Sequence, residues 1–197
     1  MTGDQGFRHQ TALVESHSIG AGTRIWAFTH IMAGARIGER CNICDHCFVE
    51  AGAVIGNNVT LKNGVSVWDQ ITLEDGVFVG PNATFTNDRR PRSGNPNWQV
   101  ERTVIGRGAS IGANATILCG IRVGAFAMVG AGAVVTADLP DHALGYGNPA
   151  RVQGWVCACS ARLVFAGTSA TCGQCGKHYR QAADRVSLVD ANGTSGH

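Results

Sequence analysis

The chain has 197 residues, enough for one core of ordinary size with a small appendage. Its 16 Lys and Arg against 14 Asp and Glu leave a formal net charge of +2, too small and too evenly spread to indicate a nucleic-acid partner or insertion into a membrane. No segment approaches the roughly 18 uncharged apolar residues of a spanning helix, and Met1–Gln10 has no apolar signal core. The expected compartment is therefore the cytoplasm, and the eight cysteines read as buried thiols or metal ligands rather than disulfides.

Residues 1–10 and 183–197 are expected to be flexible tails. Between them a fixed period dominates. An aliphatic residue or Phe recurs every sixth position at Leu13, Ile19, Ile25, Ile31, Ile37, Ile43, Val49, Ile55, Leu61, Val67, Leu73, Val79 and Phe85, and again at Ile105, Ile111, Ile117, Val123, Val129 and Val135. Gly often follows directly, as at Gly38, Gly56 and Gly112, and the residue two before is commonly small, as at Ala53, Ala83 and Ala115. A period of six suits neither an amphipathic helix nor simple two-fold alternation. Short strands separated by tight corners accommodate it: the large residue fills the interior and Gly or Asn takes the unusual backbone angles of the turn. Three hexads close one triangular coil, and coils stack as parallel strands at about 4.8 Å. The prediction is an all-β fold, a left-handed parallel β-helix of hexapeptide repeats over residues 11–154. The break between Phe85 and Ile105 is no multiple of six, so a polar, proline-punctuated loop over 86–104 must leave the helix there. The repeat decays from Asp138 through Gly147-Asn148-Pro149-Ala150-Arg151.

Residues 155–182 form a second module. Cys157-Ala158-Cys159 and Cys172-Gly173-Gln174-Cys175 supply four thiols, a set that can close a tetrahedral zinc site, and the segment reads as a small C-terminal zinc ribbon serving as a structural staple. Cys41, Cys44 and Cys47 are different: successive hexads lie on different faces, so these are packing thiols. The scaffold histidines His17, His30, His46 and His142 are never 18 apart, which argues against a three-histidine metal centre.

Stacking singles out one corner. Asp69 and Asn87 are 18 apart and should be neighbours in adjacent coils, as should Trp68 and Thr86. Asn87 opens the excursion loop, whose Arg89, Arg90 and Arg92 can bind a diphosphate. Two readings stay open for this corner: a site where carboxylate, amide, aromatic and arginines converge, or side chains that merely satisfy turn amides.

The repeat together with Trp26-Ala27-Phe28-Thr29-His30, Asn42-Ile43-Cys44-Asp45-His46-Cys47, Phe85-Thr86-Asn87-Asp88, Pro91-Arg92-Ser93, Gly112-Ala113-Asn114 and Gly147-Asn148-Pro149-Ala150-Arg151 resembles the nucleotide-sugar N-acetyltransferases of the hexapeptide superfamily. The likeness is to the branch acting on the 3-amino group of dTDP-3-amino-3,6-dideoxyhexoses or UDP-3-amino-glucuronate derivatives. It covers about residues 13–154 and implies a homotrimer with sites between subunits, a nucleotide-sugar acceptor and acetyl-CoA as cosubstrate. Asp69 and Asn87 then correspond to the catalytic acceptor contacts, with Trp68, Asp88, Arg89, Arg92, His30 and His46 as substrate-binding candidates. Coenzyme contacts carry over to Ala113, Ala131, Asn148, Pro149 and Arg151. The chemistry implied is direct attack of the amine on the thioester. An O-acetyltransferase acting on a sugar hydroxyl and a non-catalytic β-helix assembly protein are the alternatives.

Overall fold

The computed structural model describes residues 6–189 and contains only strands and turns there. Three parallel sheets form the faces of a solenoid. The first face runs through Arg24–Ile25, Asn42–Ile43, Thr60–Leu61, Phe78–Val79, Ser110–Ile111 and Met128–Val129. The second runs from Leu13–Val14 and His30–Ile31 through Phe48–Val49, Ser66–Val67 and Thr84–Phe85 to Thr116–Ile117 and Val134–Val135. The third runs from Ser18–Ile19 to Arg122–Val123. The register is the predicted 18, as in Thr60↔Phe78 and Ser66↔Thr84. Each two-residue strand directs one residue inward, so Ile31, Val49, Val67, Phe85, Ile117 and Val135 stack as one buried column. Burying each such side chain contributes about 1.5–3 kcal/mol. Corners hold left-handed residues at φ near +60°, including Asn58, Gln70 and Asn114, which explains the Asn and Gly between strands.

The register slips at the start. Val14, not Leu13, pairs with Ile31, and Leu13 is 52% exposed. The corner from Val14 to Ile19 is one residue short, and buried Ser16 closes it by donating to Ala35 O at 2.6 Å and accepting from Ser18 N at 3.0 Å. The excursion is shorter than predicted, because Thr103–Ile105 is already strand paired with Ile71–Leu73.

Both supposed tails contribute strands. Phe7–Arg8 pairs with Arg24–Ile25, and Arg185–Val189 pairs with His178–Ala182, burying Val186. Residues 1–5 and 190–197 lie outside the described residues. The strand Ala150–Val156 runs across the expected boundary at 154/155. The first face continues through Ala143–Gly147 into the antiparallel strands Ala150–Val156 and Arg162–Leu163. Beyond them a three-stranded antiparallel sheet of Ser169–Thr171, His178–Ala182 and Arg185–Val189 covers a second core of Cys157, Leu163, Ala170, Cys172, Tyr179 and Val186.

Candidate active site

The corner between the second and third faces carries Asp69 and Asn87 one coil apart, by the register of their strands. Asp69 Oδ1 accepts from Gln70 N at 2.7 Å and Gln70 Nε2 at 3.2 Å, so that oxygen stabilises the left-handed turn residue behind it. Asp69 N donates to Glu50 Oε2 at 2.8 Å. Neither Asp69 Oδ2 nor the Asn87 side chain takes a hydrogen bond from another described residue, and both residues are half-buried. One carboxylate oxygen thus serves the turn, while the other oxygen and the amide have no hydrogen-bond partner among the described residues. Trp68 borders the pair on the second face, its Nε1 donating to Phe85 O at 2.8 Å. Phe48 packs on Trp68 at 5.5 Å between ring centres, and His30 meets Phe48 edge-on at 5.4 Å. His30 is therefore two aromatic rings removed from the corner, and its Nε2 lies 3.3 Å from Glu15 Oε2.

The excursion loop folds back along this corner. Arg89 Nη2 donates to Cys119 O at 2.9 Å and pairs with Glu101 Oε2 at 3.0 Å, while Nε donates to Glu101 Oε1 at 3.2 Å. Buried Cys119 is fixed in turn by its N–H donating to Thr86 Oγ1 at 3.0 Å. Arg89 is thereby committed to holding the loop. Asp88 Oδ1 accepts from Arg90 N at 2.7 Å, and the loop encloses an open cavity of about 320 Å³ that Asp88, Arg90 and Trp98 help line. Arg92 is exposed outside that lining. Glu101 was missed in the sequence because an aperiodic loop gives no spacing by which to pair it with Arg89.

Ala113 and Ala131 occupy the corner between the first and second faces, joined by Gly132 N donating to Ala113 O at 2.8 Å. The pairing Val129↔Gly145 carries the line on to Gly147 and the hairpin turn at Asn148 and Pro149, after which Arg151 pairs with Tyr146. The five coenzyme candidates therefore follow one edge. His46 lies on that edge too, stacked on Phe28 at 5.1 Å, and so stands a full face away from Asp69.

The sulfurs of Cys157, Cys159, Cys172 and Cys175 lie within 4.8 Å of one another, with Cys157 to Cys175 at 3.4 Å and Cys159 to Cys172 at 3.6 Å. A tetrahedral cation bonded to thiolates at about 2.3 Å requires sulfurs about 3.8 Å apart, so donor type and spacing fit. The backbone N–H groups of Cys175 and Gln174 hold the Cys172 thiol down to about 6, whereas neighbouring sulfurs push Cys159 and Cys175 up. No other group of three or more metal-binding side chains occurs among the described residues. His178 instead hydrogen-bonds Thr171 Oγ1 at 2.9 Å. Cys41 and Cys47 donate to Gly56 O at 3.0 Å and Lys62 O at 3.2 Å, and burial pushes Cys47 up to about 12.

The three-faced solenoid of hexads, broken once by the excursion loop, carries the repeat of the bacterial transferase hexapeptide (six repeats) family, which matches residues 16–51, 52–87 and 102–137. The chain belongs to that family. Within it, the chain is 55% identical over 183 residues to the dTDP-3-amino-3,6-dideoxy-alpha-D-galactopyranose 3-N-acetyltransferase of Aneurinibacillus thermoaerophilus, covering 93% of this chain and 95% of that protein. Among solved structures, a mutant GDP-perosamine N-acetyl transferase from Caulobacter crescentus, in complex with CoA and GDP-perosamine, superposes with a TM-score of 0.58 at 26% identity, covering 70% of this chain and 57% of that one. The acetyltransferase domain of PglB from Neisseria gonorrhoeae FA1090 gives 0.51 at 27% identity, covering 76% and 58%. The chain thus spans less than two thirds of either solved neighbour.

Proposed function

We propose that the protein is an acetyl-CoA-dependent N-acetyltransferase acting on the 3-amino group of a nucleotide-linked amino sugar. The observation that carries this reading is the 55% likeness, over nearly the whole of both chains, to a 3-N-acetyltransferase of a dTDP-linked sugar. The free Asp69 oxygen and the Asn87 amide, beside a loop with an exposed Arg and Trp, supply what such an acceptor requires: a group to orient the amine and a cavity beside it. The amine nitrogen attacks the thioester carbonyl, its bond to carbon forms as the carbon–sulfur bond breaks, and the departing thiolate takes the amine proton. Orientation and a backbone hydrogen-bond donor for the developing oxyanion are sufficient.

The assembly follows from the same layout. Acceptor corner and coenzyme edge lie on opposite sides of the second face, so a site made by two copies, one offering its corner and the other its edge, brings them together. That arrangement supports a homotrimer of left-handed β-helices. The four cysteines would hold zinc as a structural ribbon, the ion supplying a four-coordinate crosslink. Eight unpaired thiols accord with a reducing compartment such as the cytoplasm, and among the described residues no helix is long and apolar enough to cross a membrane.

The test is thiol release from acetyl-CoA with dTDP- and UDP-linked 3-amino sugars, using the matching hydroxy-sugars as controls. Turnover confined to amino sugars is expected. Turnover on a hydroxy-sugar alone would make the protein an O-acetyltransferase, and trimers that bind no coenzyme would make it an assembly protein.

A further inference from the structure

The metal module and the coenzyme edge share a strand. Ala150–Val156 carries Arg151 near one end and runs directly into Cys157 at the other. Its partner on the outer side is Arg162–Leu163, through Trp155↔Leu163 and Val156↔Arg162. The bend joining these two strands contains Cys157 and Cys159, so the first cysteine pair is the turn that closes the last hairpin of the first face. The second pair, Cys172 and Cys175, sits in the bend between Ser169–Thr171 and His178–Ala182. A cation gathering the four sulfurs ties those two bends together.

Tyr179 extends the tie inward. It is 1% exposed, its hydroxyl accepts from Ala158 N at 3.0 Å, and it lies 3.1 Å from Cys157 Sγ. Its ring meets His142 edge-on at 5.1 Å, and His142 stacks on Phe126 of the preceding coil at 5.3 Å. The backbone N–H of Val156 donates to His142 O at 2.8 Å, while His142 Nδ1 donates to Val156 O at 3.0 Å. Trp155 packs against both cores. The contacts thus run without a gap from the sulfurs to the root of the hairpin whose turn is Gly147–Ala150.

We propose that the four-cysteine site is a clamp on the coenzyme subsite, with Tyr179 as the positioning residue that links them. When a cation is bound, the Cys157–Cys159 turn and Tyr179 hold the hairpin against the last coil, keeping Asn148, Pro149 and Arg151 in line with Ala113 and Ala131. Without it the hairpin opens locally, while earlier coils, which hydrogen-bond to one another independently of this module, stay folded. The proposal rests on the coenzyme reading given above.

The experiment compares full-length protein as purified, stripped by a chelator under reducing conditions, and reloaded with zinc chloride. Amide exchange at residues 143–156 should quicken at least about tenfold on stripping, with the coils from Arg24 to Phe85 unchanged and zinc restoring protection. Calorimetry should show the Kd for coenzyme A rising about tenfold or more. Tyr179→Phe, which keeps the ring against His142, should retain zinc and raise KM for acetyl-CoA by a factor of about 3 to 10, with kcat and the acceptor KM unchanged. Native exchange in the stripped hairpin, or coils that unfold together with it, overturns the clamp. Arg151→Ala separates the two levels. If it weakens coenzyme binding but stripping does not, the clamp fails and the coenzyme reading stands. If neither changes coenzyme affinity while the hairpin loosens, the coenzyme assignment has failed and the proposal with it.

Discussion

Glu101→Ala tests what holds the excursion loop to the acceptor corner. In the native protein Arg89 is gripped by Glu101 at 3.0 Å and by Cys119 O at 2.9 Å. The paired side chains are 51% and 41% exposed, so solvent screens the ion pair to about 0.2–1 kcal/mol. The bond to a carbonyl from a charged donor is worth about 1.5–3 kcal/mol when buried and less at this half-exposed position. Losing the pair alone costs the ordered loop up to about 1 kcal/mol, and losing both contacts through Arg89→Ala about 1–2 kcal/mol. These convert to a KM for the nucleotide sugar raised up to about fivefold and about 5–30-fold, respectively. The KM for acetyl-CoA should not move, and thermal melts should stay within about two degrees of the parent, because the loop lies outside the stacked core. Steady-state kinetics with each substrate varied in turn, together with a melting curve, make the measurement. A nucleotide-sugar KM that falls in Glu101→Ala refutes the reasoning, since it would mean that Glu101 withholds an arginine that phosphate needs. An unchanged KM refutes the loop clamp itself.

Three further predictions follow from the geometry. Asp69→Asn keeps an acceptor for Gln70 N and should lower kcat about tenfold if the carboxylate only orients the amine; a loss of about 10²-fold or more, with an altered pH–rate profile, would make it a general base. A Cβ at Gly112 would overlap the backbone of Gly130 and Ala131, whereas one at Gly132 meets nothing but carries a φ of +68°. Urea unfolding should therefore show Gly112→Ala costing about 1–3 kcal/mol or more from overpacking and Gly132→Ala about 1–2 kcal/mol from backbone strain; equal and negligible costs would contradict the coil stacking. Burial pushes His142 below its ordinary value of 6.5, so the unfolded chain protonates first as pH falls. The neutral histidine's contribution is present above pH 6.5 and is lost as pH drops through the lower folded value. His142→Asn, which suits the left-handed φ of 63°, should flatten the pH dependence of the urea midpoint between pH 6.5 and the lower folded value, with zinc content followed in parallel.

Much of this was readable in the sequence because the solenoid is nearly a one-dimensional object. Each strand has one inward residue and each coil repeats after 18, so the period alone determined which residues are buried and which stack, including Asp69 under Asn87 and Ala113 under Ala131. Acetyl transfer on an amino sugar came not from the period but from the resemblance of short segments around Asn87 and Arg92 to a known family. What the period does not cover, only the tertiary structure decided. The short corner at Ser16 set Val14 rather than Leu13 against the core, a matter of one hydroxyl finding the Ala35 carbonyl. Arg89 is held by Glu101 and Cys119 rather than left free, because an aperiodic loop meets a corner whose distance from it in sequence carries no rule. His142, Cys157 and Tyr179 belong to three different strands and bends, and they meet only when an antiparallel sheet folds back on the end of the solenoid. Periodic contacts are local in sequence and therefore legible in it; contacts that depend on where a loop or hairpin returns are set by the whole fold.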